Sequence, residues 1–103
     1  MRNSLTKMFL ALAVMISTSA FAQDLAKGQS LYSASCIQCH GEKGEGSQTA
    51  KAPKLSGQYD WYLVKQLTDA KAGTLRKSAP MQNCFKGLTD QDFKDLAAYI
   101  HTL

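Results

Sequence analysis

Cys36-Ile37-Gln38-Cys39-His40 carries the strongest signal in this 103-residue chain. Two cysteines separated by two residues and followed at once by histidine are typical of a covalent attachment site for a c-type haem. The spacing has a physical reason, because two thiols placed in this way reach the two vinyl groups on one side of a porphyrin. The next residue then lies below the iron, where an imidazole nitrogen can bind it. The motif therefore predicts an iron porphyrin cofactor.

Two other chemistries use the same residues. A thioredoxin-like redox pair also has two cysteines at this spacing, but it needs a βαβ setting, and no strand-rich segment surrounds Cys36. A structural zinc site would take three of its four ligands from the motif, with Cys84 or His101 as the fourth. That ligand set is irregular, since zinc ligands usually occur as two closely spaced pairs. The sequence favours haem and leaves both alternatives open.

The start of the chain has the pattern of a secretory signal peptide. Arg2 and Lys7 give a positive first segment, residues 8–16 form a short apolar core, and residues 20–22 supply a small-x-small cleavage site. An apolar stretch of this length is well short of the ~20 residues needed to cross a bilayer, which disfavours a retained membrane anchor. We therefore expect cleavage after Ala22, export to a bacterial periplasm without stable membrane insertion, and one functional domain over residues 23–103.

The expected mature chain carries little net charge. The full chain has 12 Lys and Arg residues against 8 Asp and Glu residues, and loss of Arg2 and Lys7 with the signal leaves ten against eight. A net charge of +2 does not indicate a nucleic-acid partner, and two ionised haem propionates would cancel it. The 81 residues left after a 22-residue signal form one small domain. Chains of this size often depend on a metal or cofactor to complete their core.

The spacing of apolar residues predicts an all-α domain, with three to four helices wrapped around one covalently bound haem and joined by long loops. A first helix is expected over residues 24–35, a second over residues 59–72 with Gly73 as its stop, and a last one after Thr89 as N-cap. A glycine-rich loop containing Pro53 spans residues 41–57, and Pro80 and Met81 are expected in an irregular segment.

The same spacing predicts which side chains are buried. The faces expected in the core are those of Leu25, Gly28, Leu31 and Tyr32 in the first helix and of Phe93, Leu96, Ala97 and Ile100 in the last. Trp61 and Tyr62 are expected in the core or in the wall of the haem pocket.

Met81 is the candidate for the second axial ligand of the iron. It is the only methionine of the expected mature chain, because Met1, Met8 and Met15 leave with the signal. Methionine sulfur is one of the ligands that haem iron takes opposite histidine. The alternative is that Met81 fills a gap in the core. The rival ligand is His101, whose place near the end of the last helix is better explained by a hydrogen-bonded or exposed histidine.

An ordered set of motifs resembles the class I cytochrome c family. The set comprises Gly28 and Tyr32 in the first helix, the haem motif, residues 53–58, residues 62–67, Ala79-Pro80-Met81, and residues 88–90 leading into residues 95–99. The match covers most of the mature chain. Within the family, the chain is most similar to small bacterial monohaem carriers and to single halves of periplasmic dihaem cytochromes.

The resemblance implies a role for each site residue. Cys36 and Cys39 would form the thioether bonds to haem, and His40 and Met81 would be the axial iron ligands. The backbone carbonyl of Pro53 would accept a hydrogen bond from the far ring nitrogen of His40, which orients the imidazole and raises its basicity.

A haem closed on both faces has no vacant position for oxygen or substrate. The leading prediction is therefore a one-electron carrier without enzymatic activity, which exchanges electrons with redox protein partners in transient encounters. Candidates to meet an acidic partner are Lys51, Lys54, Arg76, Lys77 and Lys86. A solvated mixed surface explains these residues equally well, because acidic residues interrupt the positive charge.

Two further functions stay open from the sequence. One is an electron-transfer subunit of a periplasmic dehydrogenase or oxidase, and the other is a gas-binding or peroxidatic haem protein, which requires Met81 to be off the iron. Cys84 is left without a partner in its own chain once the motif cysteines bind haem. We expect a monomer with a buried or partly buried thiol, and a Cys84-linked dimer is the alternative.

Overall fold

The structure, a computed structural model of the chain, describes residues 23–74 and 79–103. Its helices, in chain order, are α1 Leu25–Ser35, α2 Ile37–His40, α3 Asp60–Ala72, α4 Ala79–Phe85 and α5 Asp90–His101. Helix α2 is a single turn of four residues, so four longer helices form the frame. Within the described ranges there is no sheet, only an isolated antiparallel bridge between Ser47 and Ala52. The predicted all-α architecture is confirmed. The expected signal peptide, residues 1–22, lies outside the described residues.

Helix α1 begins and ends where its sequence predicts, within one residue. The side chain of Asp24 accepts a hydrogen bond from the backbone N–H of Lys27 at 3.0 Å, which satisfies one of the free donors of the first turn. At the other end, the N–H of Cys36 donates to the carbonyl of Tyr32 at 2.8 Å. The helix therefore delivers Cys36 directly into the single turn of α2.

Helices α1 and α5 cross at Gly28, and this crossing is the centre of the fold. A Cβ at this position would overlap the backbone carbonyl of Asp95 and lie 2.8 Å from the Cβ of Tyr99. Only glycine lets the two backbones approach so closely. The core cluster of buried residues consists of Tyr32, Leu63, Leu96, Ala97 and Ile100.

One burial prediction is wrong. Leu25, the first residue of α1, is 52% exposed, because the buried face of this helix begins one turn later at Gly28. Trp61, at 64% exposed, lies outside the protein core, and so does Tyr62, which leaves the wall of the haem pocket as the prediction for both. Both lie in the first turn of α3, which presents Leu63 to the core instead. Trp61 stacks on Tyr59, with ring centroids 6.0 Å apart.

Helix α3 ends in a glycine turn, as predicted. Gly73 has φ 77° and ψ 12°, a left-handed conformation that glycine adopts without steric cost. The N–H of Gly73 donates to the carbonyl of Ala70, and the N–H of Thr74 donates to that of Asp69, both at 3.1 Å. These are the two bonds of a Schellman motif, and they fix the last turn of α3.

The prediction of an irregular segment around Pro80 and Met81 is wrong, because α4 covers both residues. Proline is tolerated in the first turn of a helix, where its missing N–H would have no intrahelical acceptor. Seven residues are too few to show a clear apolar period, and packing decides the conformation instead. Phe85, which is 3% exposed, packs edge-on against Phe93 of α5 with ring centroids 5.9 Å apart.

Helix α5 begins with a capping box. The Thr89 hydroxyl accepts a hydrogen bond from the N–H of Asp92, and the Asp92 carboxylate accepts one from the N–H of Thr89, each at 3.0 Å. The predicted N-cap is therefore confirmed. In residues 23–74 and 79–103 there is no helix with the length and apolarity needed to cross a membrane.

Candidate haem-binding site

The motif cysteines lie on one helical turn at the junction of α1 and α2. The N–H of His40 donates to the carbonyl of Cys36 at 2.9 Å, and the N–H of Cys39 donates to the same carbonyl at 3.3 Å. Residues three apart on a helical turn face the same side, so the two thiols share one face. Cys36 is partly buried and Cys39 is exposed. The turn thus presents two thiols and an imidazole from a single rigid segment.

His40 is held in one tautomer by the loop opposite. The ring is 4% exposed, and its Nδ1 lies 2.8 Å from the carbonyl oxygen of Pro53. A carbonyl oxygen can only accept, so Nδ1 carries the proton and donates it. The lone pair is therefore on Nε2, which is the nitrogen left to bind a metal. The contact with Pro53 is the one that the family resemblance implied.

The loop over residues 41–59 is shaped to place Pro53 at this ring. The carbonyl of Gly44 accepts hydrogen bonds from the N–H groups of Leu55 and Ser56 at 2.8 and 3.0 Å, and the N–H of Gly46 donates to the carbonyl of His40 at 2.8 Å. Gly46 has φ 79°, and a Cβ there would lie 2.8 Å from the carbonyl oxygen of Ala52. A glycine is thus required where the loop folds back beside Pro53.

A buried tyrosine bonds to the end of the haem attachment turn. The Tyr32 hydroxyl donates to the carbonyl of Gly41, directly after the motif. Burial, followed by the nearby Cys36 thiol, raises the pKa of Tyr32 to about 12, so the hydroxyl keeps its proton and remains a donor. The sequence predicts only core packing for Tyr32. Its hydroxyl bond has no signature in the sequence, because Phe would satisfy the same apolar pattern.

Met81 lies on α4, a different element from the rest of the site. Its side chain is partly buried. Two neighbours on α4 bond to other helices: Gln82 Nε2 donates to the carbonyl of Ala70 at 2.6 Å, and Cys84 Sγ donates to the carbonyl of Ser35 at 3.3 Å. Cys84 is therefore a partly buried thiol beside the end of α1, as expected. No feature of the sequence indicates that Gln82 has a structural contact.

The thiol–disulfide alternative does not fit the surroundings of Cys36. Burial, with smaller contributions from the nearby Cys84 and Cys39 thiols, raises the pKa of Cys36 to about 12. Reactive dithiols instead have a lowered pKa, which supplies the attacking thiolate at neutral pH. The free thiol of Cys36 is a poor nucleophile of this kind.

The zinc alternative lacks its ligand set. Among residues 23–74 and 79–103, no three His, Cys, Asp or Glu side chains gather in an arrangement that could hold a metal ion. His101 is exposed, and its Nδ1 lies 2.8 Å from the carbonyl of Gln58. Cys84 is bonded to Ser35. His101 is bonded away from the motif, and Cys84, although it is near Cys36, does not complete a group of three ligands within the described residues.

The donors present fit a covalently attached haem. One turn supplies two thiols that share a face and an imidazole whose Nε2 lone pair is free of the Pro53 bond. Met81, partly buried on a separate helix, is the thioether predicted as the second iron ligand. The two thiols are what covalent attachment to haem requires, and the oriented imidazole suits an iron ligand.

Comparison with known proteins agrees with this geometry. The family model described as cytochrome c matches residues 25–103, which include α1 to α5 and every site residue named above.

The chain belongs to the cytochrome c family. Membership means that it binds a c-type haem through covalent bonds, and it places the chain among electron-transport proteins. The predicted family and cofactor are therefore confirmed.

Three relatives describe the chain's place in the family. It is 39% identical to cytochrome c4 of Azotobacter vinelandii over 96% of this chain and 50% of that protein. It is 39% identical to cytochrome c-554(547) of Halothiobacillus neapolitanus over 80% of this chain and 99% of that protein. It is 32% identical to the cbb3-type cytochrome c oxidase subunit CcoP of Cereibacter sphaeroides over 76% of this chain and 27% of that protein. The chain spans about half the length of the cytochrome c4 relatives it matches.

The surface around the site is of mixed charge. Lys51, Lys54 and Lys86 are exposed, and so are the acidic residues Glu42, Glu45 and Asp90. Arg76 and Lys77 lie outside the described residues. Glu45 lines the same cavity as Lys51 and Lys54, so the positive charge of this loop has an acidic neighbour.

Proposed function

We propose that this chain is an exported carrier of single electrons, in which His40 and Met81 are the axial ligands and Cys36 and Cys39 hold the haem. The observation that carries the proposal is the hydrogen bond from His40 Nδ1 to the Pro53 carbonyl. It leaves Nε2 as the ligand atom and increases its basicity, as a carbonyl does when it accepts from the other ring nitrogen of a metal-bound histidine.

The chain's residues divide the work of such a carrier. Cys36 and Cys39 fix the cofactor to one turn, so that it stays in place in either oxidation state. The buried ring of His40 and the thioether of Met81 would hold the iron from two sides and would exclude water, oxygen and substrate from it. Haem with this ligand pair exchanges one electron between its ferric and ferrous forms, and the sulfur ligand favours the ferrous form.

Partners of this carrier are proposed to be redox proteins met in brief encounters. Exposed Lys51, Lys54 and Lys86 would steer an acidic partner towards the chain, while the interspersed acidic residues keep the attraction weak. Weak attraction suits a carrier, since it must leave each partner after transfer. A monomer is the expected state, and reducing against non-reducing gels would detect a Cys84-linked dimer.

A second candidate function is an electron-transfer subunit of an oxidase or dehydrogenase. The similarity to the oxidase subunit CcoP favours it, because there a region like this chain forms part of a larger protein. Isolation of the tagged chain from its own cells at low salt separates the two candidates. A carrier is recovered alone, whereas a subunit is recovered in a fixed ratio with its enzyme.

The mass of the exported protein tests export and haem attachment. Export to the periplasm with cleavage after Ala22 predicts a polypeptide that begins at Gln23 and carries the mass of one haem.

A potentiometric titration of the exported protein tests the carrier proposal. The titration should give a single reversible one-electron wave, and Met81→Ala should lower its midpoint, because the sulfur that favours ferrous iron is lost. An unchanged midpoint in Met81→Ala would remove Met81 from the iron, and the absence of a reversible wave would contradict the carrier function.

A further inference from the structure

Helix α4, which contains Met81, depends on contacts with other helices for its position. Helix α4 has seven residues, and helices shorter than about 12 residues are marginal without tertiary support. Whatever holds α4 in place therefore also decides where the Met81 side chain is held.

Gln82, the residue after Met81, ties α4 to α3. Its amide Nε2 donates to the carbonyl of Ala70 at 2.6 Å, in a partly buried setting. Ala70 belongs to the last turn of α3, which the Schellman bonds at Gly73 already fix. The amide of Gln82 is thus bonded to a rigid acceptor.

Cys84, one turn beyond Met81, ties the same helix to α1. Its Sγ donates to the carbonyl of Ser35 at 3.3 Å, a bond that spans 49 residues of sequence. Ser35 is the last residue of α1 and directly precedes Cys36. The hydrogen bond therefore holds α4 against the residue that directly precedes the haem attachment turn.

A third contact secures the far end of α4. Phe85 is buried against Phe93 of α5, so the helix is fixed to α5 by apolar packing and to α3 and α1 by side-chain hydrogen bonds. The two polar contacts lie one and three residues beyond Met81, and the apolar one lies four residues beyond it.

We propose that Gln82 and Cys84 are positioning residues for Met81, whose hydrogen bonds to the Ala70 and Ser35 carbonyls hold α4 where the thioether stays on the iron. The proposal rests on the proposed function, since it takes Met81 as the axial ligand. Loss of either bond frees α4 to move and raises the population of a form in which Met81 has left the metal. The haem stays attached and the fold stays intact, because Cys36, Cys39 and the crossing of α1 with α5 are untouched.

The population of the open form can be measured with imidazole, which binds the ferric protein only where Met81 has left. Its apparent affinity is the intrinsic affinity multiplied by the open fraction. Deletion of one hydrogen bond raises an open fraction by about two- to tenfold. We expect Gln82→Leu to raise the apparent imidazole affinity by about that factor, and Cys84→Ala to raise it less, because a thiol is a weak donor. Cys84→Ser keeps a donor and should stay near wild type.

A matched control removes a bond of the same kind elsewhere. His101 Nδ1 lies 2.8 Å from the Gln58 carbonyl, and His101 belongs to the end of α5 rather than to α4. His101→Ala should therefore leave the imidazole affinity unchanged. If Gln82→Leu does not accumulate, Gln82→Asn takes its place, because the shorter amide cannot span the same distance. Far-UV circular dichroism and denaturant titration of every variant separate movement of α4 from loss of the fold.

The outcomes distinguish this proposal from the one it rests on. If wild type binds imidazole as tightly as Met81→Ala does, Met81 is not the ligand and the proposed function fails. If wild type excludes imidazole and Met81→Ala does not, but Gln82→Leu and Cys84→Ala both match wild type, the positioning role alone is overturned. A rise in only one of the two variants removes the other residue from the assignment, and so does a Cys84→Ser variant that behaves like Cys84→Ala.

Discussion

At the scale of the residue, the site depends on one backbone carbonyl that is placed by a glycine. The sequence identifies the thiols and the imidazole directly, since the spacing of the motif has a chemical meaning. It identifies Pro53 only through family resemblance, because any residue has a carbonyl and only the fold decides which one meets His40 Nδ1. The Tyr32 hydroxyl and the Gln82 amide could not be predicted for the same reason, as their acceptors are backbone atoms.

Gly46 offers a test of the contact between Pro53 and His40. Gly46→Ala would place a Cβ 2.8 Å from Ala52 O and Lys54 N, and would push this segment away from the ring. A weakened bond makes the imidazole a poorer donor to ferric iron, so the reduction midpoint should rise. The left-handed backbone adds a stability loss of about 1–3 kcal/mol, which denaturant titration would measure.

Gly57 provides the matched control for that substitution. It has φ 83°, close to the value at Gly46, but no atom lies within 4 Å of where its Cβ would be. Gly57→Ala should therefore have the backbone part of the stability cost alone, with an unchanged midpoint. Equal midpoint shifts in both variants would mean that the Pro53 contact does not tune the metal.

At the scale of the element, the sequence predicts those helices whose ends have chemical signatures. Gly73 stops α3 and Thr89 begins α5 because their side-chain chemistry satisfies backbone groups that the helix leaves free. Helix α4 lacks such signals, and its conformation is decided by Phe93 of α5 and by the carbonyls of Ala70 and Ser35. Contacts that join distant parts of the chain are not visible in a local pattern.

The capping box of α5 predicts a dependence of stability on pH. The hydrogen bond from the Thr89 backbone, with a smaller contribution from Lys27, holds the pKa of Asp92 below its usual value. A lowered pKa in the folded state means that the ionised form is the stabilised one. This stability is present above the unfolded pKa of about 4 and is lost as the pH falls through the folded value.

Asp92→Asn tests this dependence because it removes the charge with little change of shape. The variant should be less stable than wild type at neutral pH, by no more than about 1 kcal/mol, as is typical of helix caps. The difference should shrink below pH ~4, where wild type loses its own charge. Denaturant titrations of both proteins at pH 7 and pH 3 would measure it, and a difference that is constant with pH would contradict an ionic role for Asp92.

At the scale of the whole molecule, the fold is organised by the crossing of α1 and α5. The sequence predicts both helices and their resemblance to the family's first and last helices. The overlap that a Cβ at Gly28 would make with Asp95 shows how close the two backbones come. The sequence does not predict the exposure of Trp61, because a large aromatic residue near an apolar stripe is usually buried.

Gly28→Ala tests the crossing through the sign of its effect. In an ordinary helix interior, Gly to Ala stabilises by about 1 kcal/mol, because alanine loses less backbone entropy. Here the added methyl group must separate α1 from α5, and overpacking of this kind typically costs about 1–3 kcal/mol. We expect net destabilisation in a denaturant titration, whereas Ser30→Ala on the exposed face of α1 should change stability by less than about 0.5 kcal/mol. A stabilised Gly28→Ala variant would mean that the helices are not in close contact.

The proposed carrier depends on an iron that is bound by His40 on one face and by Met81 on the other. The most direct measurement is the absorption spectrum of the exported protein, ferric alone and ferrous mixed with carbon monoxide. Ligation by both His40 and Met81 predicts a weak long-wavelength sulfur-to-iron band in the ferric form, and this band should be lost in Met81→Ala. It also predicts that carbon monoxide does not bind rapidly to the ferrous wild type. Absence of the band together with rapid carbon monoxide binding would contradict ligation by Met81, and would favour a gas-binding haem protein over an electron carrier.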